Sequence, residues 1–254
     1  MILGFIGTGK ISTSIIYGIF NSRLKVKKIY ISSRNRNIAK KIDKKFRAVE
    51  ILQDNQEIID KSSIIFLAVT PDVGIKILPK LKFLKSKIII SLISTINIDK
   101  LKNITKNKNI VRAIPLPPVE INKGPIIICP PNKQAKNLFK YLGKVIEINN
   151  EKLSYKFWST ASVMAAFYEI LNTSSNWLIK KGIKKNIANN YVSQLFLSLS
   201  QDAVNKQSLG FKKLVKDSQT PKGLNMQVLK ELQKVKFYSN FFKALENVNK
   251  RVSK

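Results

Sequence analysis

1-MILGFIGTGKIS-12 is a short apolar run followed at once by two closely spaced glycines. Residues 15–20, which come next, are mostly apolar and have the spacing of a helix. Gly7 allows a tight turn, and Gly9 lets the backbone approach a phosphate without a Cβ in the way. The helix start offers free N–H groups and a positive dipole end to an anion. Strand, glycine turn and helix in this order predict a pyrophosphate-binding site for a dinucleotide. The residues predicted to bind the cofactor here are Gly7, Thr8, Gly9, Lys10 and Ile11.

The same alternation of apolar runs and amphipathic stretches continues through residues 1–150 and predicts βαβ units in a largely parallel sheet. The predicted strands are Met1–Ile6, Lys28–Ser32, Ala48–Ile51, Ile64–Val69, Ile88–Leu92, Ile110–Ala113, Ile126–Cys129 and Lys144–Ile148. From residue 151 onward the strand signals stop. The predicted fold class is therefore α/β, with an N-terminal Rossmann-type dinucleotide-binding domain over 1–150 and an all-helical domain over 151–254.

Apolar residues recur at helical spacing throughout the second half of the chain. Predicted helices cover Tyr155–Leu171, Tyr191–Ala203, a segment through Val228 to Leu232 capped by Asn225, and about Ser239 to Val252. Their long apolar stripes either pack on one another and on the first domain or mediate self-association. The pattern alone leaves both interpretations open.

The composition excludes several classes of function. The 254 residues include no His, which excludes His-based triads, His metal ligands and His general bases. Cys129 is the only cysteine, so we expect no internal disulfide, no CxxC site and no metal site. We expect a cytoplasmic protein, because there is no signal peptide and no apolar run of membrane-spanning length.

The formal net charge of +31 comes from Lys and Arg residues that are scattered over the whole chain. Lys here accompanies abundant Ile and Asn, as in proteins from AT-rich genomes, and no basic motif interleaved with aromatic residues is present. We therefore expect diffuse attraction to polyanions at low salt, but no specific nucleic-acid partner.

The end of the second predicted strand indicates which dinucleotide is bound. NAD sites usually place an acidic residue there for the ribose 2′-hydroxyl, but no acid occurs before Asp43. Ser33, Arg34 and Asn35 occupy this position instead, and a guanidinium fork suits a 2′-phosphate. We therefore predict that Ser33 and Arg34 bind NADPH, with NADH as a possible cofactor. The alternative is that Arg34 is one more solvated cation in a basic chain.

A second part of the predicted cofactor site lies at the end of the fourth predicted strand. This strand end faces the crevice in which open α/β sheets bind their ligands. The residues predicted to bind the cofactor there are Ala68, Val69, Thr70 and Pro71.

Several segments resemble the pyrroline-5-carboxylate reductase family, which makes proline by reducing a cyclic imine. Residues 4–11 resemble the family's GFIGxGxM opening, and 66–71 resemble its LAVKP strand end. Residues 111–115 are similar to VRAMPN, and 220–223 are similar to the SPGG turn. The resemblance implies a homodimer, or a higher assembly, built by the C-terminal helices. It also implies that Asn55 approaches the adenosine ribose, whereas its plain interpretation is a turn residue.

The resemblance further implies where the imine substrate binds. The family's SGSGPAY segment corresponds to residues 161–167, where a helix start receives the substrate carboxylate. Candidates for binding the carboxylate or donating to the imine nitrogen are Ser162, Tyr168, Thr220 and Asn225. The alternatives are turn and cap chemistry for Thr220 and Asn225, and a core position for Tyr168.

The substrate half differs from the family pattern more than the cofactor half does. The differing residues are Leu116, Val163, Met164, Leu224 and Asn225. Reduction of a protonated imine needs positioning more than side-chain chemistry, so the absence of His is compatible with it. The sequence thus predicts NADPH-dependent reduction of pyrroline-5-carboxylate. It leaves open a reductase of another imine or carbonyl, or a catalytically silent dinucleotide-binding dimer.

Overall fold

The apolar runs of the first half form one eight-stranded sheet in the order β3-β2-β1-β4-β5-β6-β7-β8. The strands are β1 Ile2–Ile6, β2 Lys28–Ser32, β3 Val49–Leu52, β4 Ile64–Leu67, β5 Ile88–Ser91, β6 Ile110–Ile114, β7 Pro125–Cys129 and β8 Lys144–Glu147. All neighbours are parallel except β6 and β7. The strand order reverses between β1 and β4, which places a crevice at their carboxyl ends. The predicted α/β fold and the eight predicted strands are confirmed.

Helices connect most of these strands. They are α1 Lys10–Asn21, α2 Arg36–Lys45, α3 Asn55–Lys61, α4 Pro71–Ile77, α5 Ile98–Thr105, α6 Lys133–Phe139 and, after β8, α7 Glu151–Ala161. Short 3₁₀ turns cover Leu78–Lys80 and Pro117–Ile121. Alternate residues of the strands enter two separate apolar clusters, because successive side chains point to opposite faces of a sheet. In one of these clusters the rings of Phe5 and Phe66 stack with their centroids 4.4 Å apart. The two clusters together give the sheet a packed core on each face.

The structure, a computed structural model, describes residues 1–253 and divides into two compact units. The N-terminal unit contains Met1–Trp158 together with the chain end from Val252, and the C-terminal unit contains Ser159–Arg251. The domain boundary predicted at residue 150 stays a prediction. Among residues 1–253, the structure contains no helix long and apolar enough to cross a membrane.

The C-terminal unit is helical. Its helices are α8 Met164–Lys180, α9 Lys185–Asn205, α10 Phe211–Asp217, α11 Leu224–Lys234 and α12 Phe237–Val252, with a 3₁₀ turn at Gln207–Leu209. α8 and α9 pack against each other after a turn in which Gly182 has φ +90°. The Ser175 hydroxyl donates to Asn189 Oδ1 at 2.6 Å between these two helices. The helical pattern predicted for this half is therefore present.

Two local predictions in this half are wrong. The helix predicted across Tyr155–Leu171 is interrupted between α7 and α8, where Ser162 and Val163 donate to carbonyls three residues back instead of four. Asn225 is not a helix cap, because Gly223 holds the cap position and α11 begins at Leu224. The Asn225 amide instead donates to the carbonyl of Ser218 at 3.0 Å.

Candidate dinucleotide-binding site

A cleft of about 510 Å³ lies at the point where the strand order reverses. Three loops line it, one after each of the strands β1, β2 and β4. The lining residues are Gly7, Thr8, Gly9, Arg34, Asn35, Arg36, Asn37, Ala68, Val69 and Thr70. The structure therefore brings together seven of the twelve residues predicted to bind the cofactor, namely Gly7, Thr8, Gly9, Arg34, Ala68, Val69 and Thr70.

An adjoining cavity of about 240 Å³ shares Gly7, Arg34 and Val69 with this cleft. Its other lining residues are Ile6, Ser32, Ser33, Gln53, Asn55 and Ile77. It adds the predicted residues Ser33 and Asn55 to the same side of the sheet. Sequence reasoning missed Gln53, although its position directly after β3, at a carboxyl strand end, is a signal for it.

The two glycines of the first loop have different structural requirements. Gly7 has φ +106°, and a Cβ there would lie 2.4 Å from the Ala68 carbonyl oxygen, so the fold itself requires glycine. Gly9 has an extended backbone, and apart from its chain neighbours no heavy atom of the described residues lies within 4 Å of the Cβ position. A side chain at Gly9 would leave the fold unstrained and would enter the space in front of α1.

Buried hydroxyl groups hold the glycine loop against the end of β2. The Gly7 N–H donates to Ser32 Oγ at 2.9 Å, and the Thr8 hydroxyl donates to the Ser32 carbonyl at 2.9 Å. The Ser12 hydroxyl donates to the Gly7 carbonyl at 2.7 Å. These bonds preorganise the loop, and the Thr8 hydroxyl takes part in holding it against β2.

The amino end of α1 faces this loop without a side-chain cap. Gly9 is the cap residue and α1 begins at Lys10, so Lys10 and Ile11 belong to the first turn. First-turn N–H groups have no partner inside a helix, and α1 carries no acidic residue in that turn. Pro71 has the corresponding place on α4, directly after the lining residue Thr70. The α1 terminus has the properties of an anion-binding site.

The loop after β2 is cationic and exposed. Arg34 and Arg36 are both exposed and line the cleft, and neither takes part in an ion pair among the described residues. Asn35 begins α2 by accepting the Ile38 N–H at 3.4 Å. Among the described residues that line the two cavities, none is acidic. The local charge therefore favours a phosphate over a bare ribose hydroxyl.

The four predicted substrate residues belong to the C-terminal unit and are not among the residues that line the two cavities. The Ser162 hydroxyl donates to the Ser159 carbonyl at 2.6 Å in the break before α8. Tyr168 on α8 is 56% exposed in the single chain. Thr220 and Asn225 flank one turn, in which the Gly223 N–H donates to the Thr220 carbonyl at 2.8 Å. The substrate roles of all four residues stay predictions.

This fold and this cleft define a Rossmann-type dinucleotide-binding protein with an added helical unit. Residues 2–95 match the family described as NADP oxidoreductase, coenzyme F420-dependent, and residues 157–254 match the family described as pyrroline-5-carboxylate reductase dimerisation. A pyrroline-5-carboxylate reductase of Arabidopsis thaliana is 20% identical over 258 residues, covering 98% of this chain and 93% of that protein. Together these matches support membership of the pyrroline-5-carboxylate reductase family, an oxidoreductase family, as the motifs predict.

Solved structures agree with this fold over the whole chain. The 1-pyrroline-5-carboxylate reductase of Streptococcus pyogenes superposes with a TM-score of 0.86 at 21% identity, covering 100% of this chain and 98% of that one. The pyrroline carboxylate reductase of Plasmodium falciparum, solved with NADP bound, has a TM-score of 0.85 at 24% identity and covers 99% and 96%. At these identities the likeness establishes the fold.

Proposed function

We propose that the protein reduces pyrroline-5-carboxylate to proline with NADPH as the hydride donor. The observation that carries this proposal is the cleft at the β1–β4 switch point. There an uncapped helix terminus adjoins a loop that has no acidic residue and carries Arg34 and Arg36, both exposed. The family relatives named for this reaction support the choice of substrate. The Plasmodium relative with NADP bound supports the choice of cofactor.

The residues of the N-terminal unit fit the proposed cofactor. The open space at Gly9 and the free N–H groups of α1 suit a pyrophosphate. Arg34 suits the 2′-phosphate through its planar fork, with Ser33 beside it. Asn55, Ala68, Val69, Thr70 and Pro71 complete the proposed site. When bound, the nicotinamide supplies the hydride, and the chain supplies binding and orientation.

The C-terminal unit carries the proposed substrate contacts. The N-terminus of α11 has no side-chain cap. Thr220 lies in the turn before this helix, and Asn225 is the second residue of the helix. We assign the substrate carboxylate to this terminus, because its N–H groups and dipole favour an anion. Ser162 and Tyr168 are proposed to hold the proton of the iminium nitrogen or to orient the ring. Orientation and exclusion of water are the main requirements, because a protonated imine accepts hydride readily.

The C-terminal helices also support a homodimer. Leu197 and Leu199 of α9 lie two residues apart and so on widely separated faces, yet they are 60% and 57% exposed. Large apolar side chains exposed on separate faces of one helix mark a surface that another molecule covers. The match of this region to a dimerisation family supports a second copy of the chain as the proposed partner.

A second candidate reaction is the reduction of a different cyclic imine or of a carbonyl. Leu224, the first residue of α11, is 79% exposed beside the proposed carboxylate terminus. The family pattern has a hydroxyl-bearing residue here. An apolar side chain in this place favours a substrate with an apolar group. If the change from a hydroxyl group to Leu224 instead abolishes catalysis, the protein is a dinucleotide-binding dimer without reductase activity.

The loss of NADPH absorbance on addition of racemic pyrroline-5-carboxylate tests the proposal. We expect NADPH oxidation with equimolar formation of proline, and no oxidation in the matched Gly9→Val variant. The same assay with a cyclic imine that lacks a carboxylate separates the candidates. Turnover of that imine alone would favour the second reaction, and NADPH binding without turnover of either compound would favour a silent dinucleotide-binding dimer.

A further inference from the structure

Arg112 of β6 is a buried cation that the proposed chemistry does not use. Its side chain is fully buried, with 0% exposure, on a strand between β5 and β7. Nε lies 2.9 Å from Glu151 Oε1. Nη1 donates to the Ser94 carbonyl at 3.0 Å, and Nη2 donates to the Ile96 carbonyl. One guanidinium therefore connects the start of α7 to the segment between β5 and α5, residues 92–97.

Aromatic rings and a second hydrogen bond complete this arrangement within the N-terminal unit. The guanidinium carbon lies 4.8 Å from the ring centroid of Trp158 and 5.7 Å from that of Tyr155. The Glu151 carboxylate also accepts the Ile98 N–H at 2.9 Å, at the first residue of α5. Burial lowers the pKa of Arg112, while the charge of Glu151 opposes that shift. A buried ion pair contributes little net stability, because removing the charges from water costs about as much as their attraction gains. The Arg112–Glu151 pair is therefore better explained by the segments that it holds in place.

The segment that Arg112 holds packs against the wall of the cleft. Ile93 and Ile96 of this segment are each 1% exposed. Both side chains pack against Gly74 of α4. A Cβ atom built on Gly74 would lie 3.2 Å from Ile93 Cδ1, 3.3 Å from Ile96 Cδ1 and 3.6 Å from Val69 Cγ2. Val69 lines both cavities. Contacts therefore run continuously from Arg112 through residues 92–97 to α4 and the loop after β4.

This wall lies on one particular side of the switch point. Arg34 follows β2, which neighbours β1 on one side, whereas residues 92–97 follow β5, beyond β4 on the other side. A dinucleotide crosses the switch point with its adenosine at the β2 end. The end that carries the nicotinamide then meets the wall that Arg112 supports.

We propose that Arg112 is a positioning residue that holds residues 92–97, and through them the β4 side of the cleft, in the shape that binds the nicotinamide half of the cofactor. This inference rests on the proposed function. It assigns Glu151 as the group that fixes the guanidinium. It also separates two parts of one site, since the adenosine half is bound by the loops after β2 and β3, which do not include this segment.

The test compares two nucleotides in the full-length Arg112→Lys variant. NADPH reports on the whole site, and 2′,5′-ADP reports on the adenosine half alone. We expect NADPH to bind about 10-fold more weakly and kcat for NADPH oxidation to fall by about 10- to 100-fold. The dissociation constant of 2′,5′-ADP should stay unchanged, because Lys cannot reach both carbonyls and the carboxylate together, while the adenosine side keeps its contacts.

Lys87 offers a matched control at the opposite end of β5. It is 8% exposed and donates to the carbonyls of Ile59, Asp60 and Ser62 at 2.5, 2.6 and 2.8 Å. Lys87→Met therefore also removes a buried cation from carbonyl oxygens, but away from the cleft. It should lower the melting temperature and leave the ratio of NADPH to 2′,5′-ADP affinity as in the unmodified protein.

Other outcomes would overturn the inference. Equal weakening of both nucleotides in Arg112→Lys, unchanged binding of both, or the same selective loss in Lys87→Met would each contradict a positioning role. If Arg112→Lys does not fold, Glu151→Gln provides the same comparison, because it keeps the shape of the side chain and removes its charge. An unmodified protein that binds neither nucleotide would overturn the proposed function first, and the inference with it.

Discussion

The two units of the chain bury their apolar residues to very different extents. In the N-terminal unit all four residues of β4 and of β5 are buried, and two apolar clusters cover the sheet. In α10, α11 and α12, whose residues are all described, no residue is buried. The first unit thus has a complete core within one chain, whereas the helices of the second expose apolar surface that needs a partner.

The difference in burial predicts that cofactor binding and self-association depend on different units. The N-terminal unit forms its cleft from its own strands and loops, so we expect cofactor binding to survive changes elsewhere. The C-terminal unit has apolar side chains on several faces of α9, so we expect its stability to depend on protein concentration.

The largest effect is expected in the core of the N-terminal unit. Phe66 is fully buried and stacks on Phe5, so Phe66→Ala should lower the free energy of unfolding by about 3–5 kcal/mol. Urea unfolding followed by circular dichroism measures this change. A loss below about 1 kcal/mol would mean that the sheet core is not the stable part of the molecule.

Gly9→Val should abolish binding without unfolding the chain. The Cβ position is open, so the fold tolerates the change, but the side chain fills the space proposed for the pyrophosphate. We expect NADPH affinity to fall by about 100-fold or more with an unchanged melting temperature. Gly7→Val is the matched control, which should destabilise the fold because of its φ of +106° and its contact with Ala68. Retained NADPH binding in Gly9→Val would contradict the site.

Self-association can be tested with two leucines of equal exposure. Leu197 in the C-terminal unit and Leu84 in the N-terminal unit are both 60% exposed in the single chain. Leu197→Lys should raise the dimer dissociation constant by about 10- to 100-fold. Leu84→Lys should leave it unchanged and alter stability by less than about 0.5 kcal/mol. Sedimentation velocity over a concentration series measures the first effect, and equal behaviour of the two variants would remove the distinction between the units.

Arg34→Ala should have the smallest and most selective effect. The guanidinium meets only the 2′-phosphate in the proposed site, so NADPH should bind about 10-fold more weakly while NADH binding changes little. Titration of both cofactors checks this expectation. Equal losses for the two would show that Arg34 is an ordinary surface cation, and the cofactor preference would then have to come from another residue.

The sequence was sufficient for the sheet and for most of the cleft. Apolar runs of strand length, separated by turns, have few alternatives, and Gly7 and Gly9 follow the first of them directly. Features set by a distant partner were missed. Arg112 pairs with Glu151 of α7, which lies 39 residues further along the chain. Gln53 was missed although it directly follows β3, because only the sheet order shows that this strand end borders the adjoining cavity.

Local competition explains the remaining differences. Asn225 is a residue type that often caps helices, but the turn from Thr220 to Gly223 starts α11 two residues earlier than a cap at Asn225 would. Residues 155–171 have an unbroken helical pattern, yet Ser162 Oγ bonds to the Ser159 carbonyl at the place where the helix ends. Hydrogen bonds from side chains to nearby backbone carbonyls compete with the hydrogen bonds of a helix. The spacing of apolar residues in the sequence does not reveal them.

The most direct test of the whole account is growth of a bacterial strain that lacks proline synthesis. Expression of the unmodified chain should restore growth without added proline, and expression of Gly9→Val at the same level should not. Restoration by both would contradict the assigned cofactor site. Failure of the folded, unmodified protein to restore growth would contradict the reduction of pyrroline-5-carboxylate to proline.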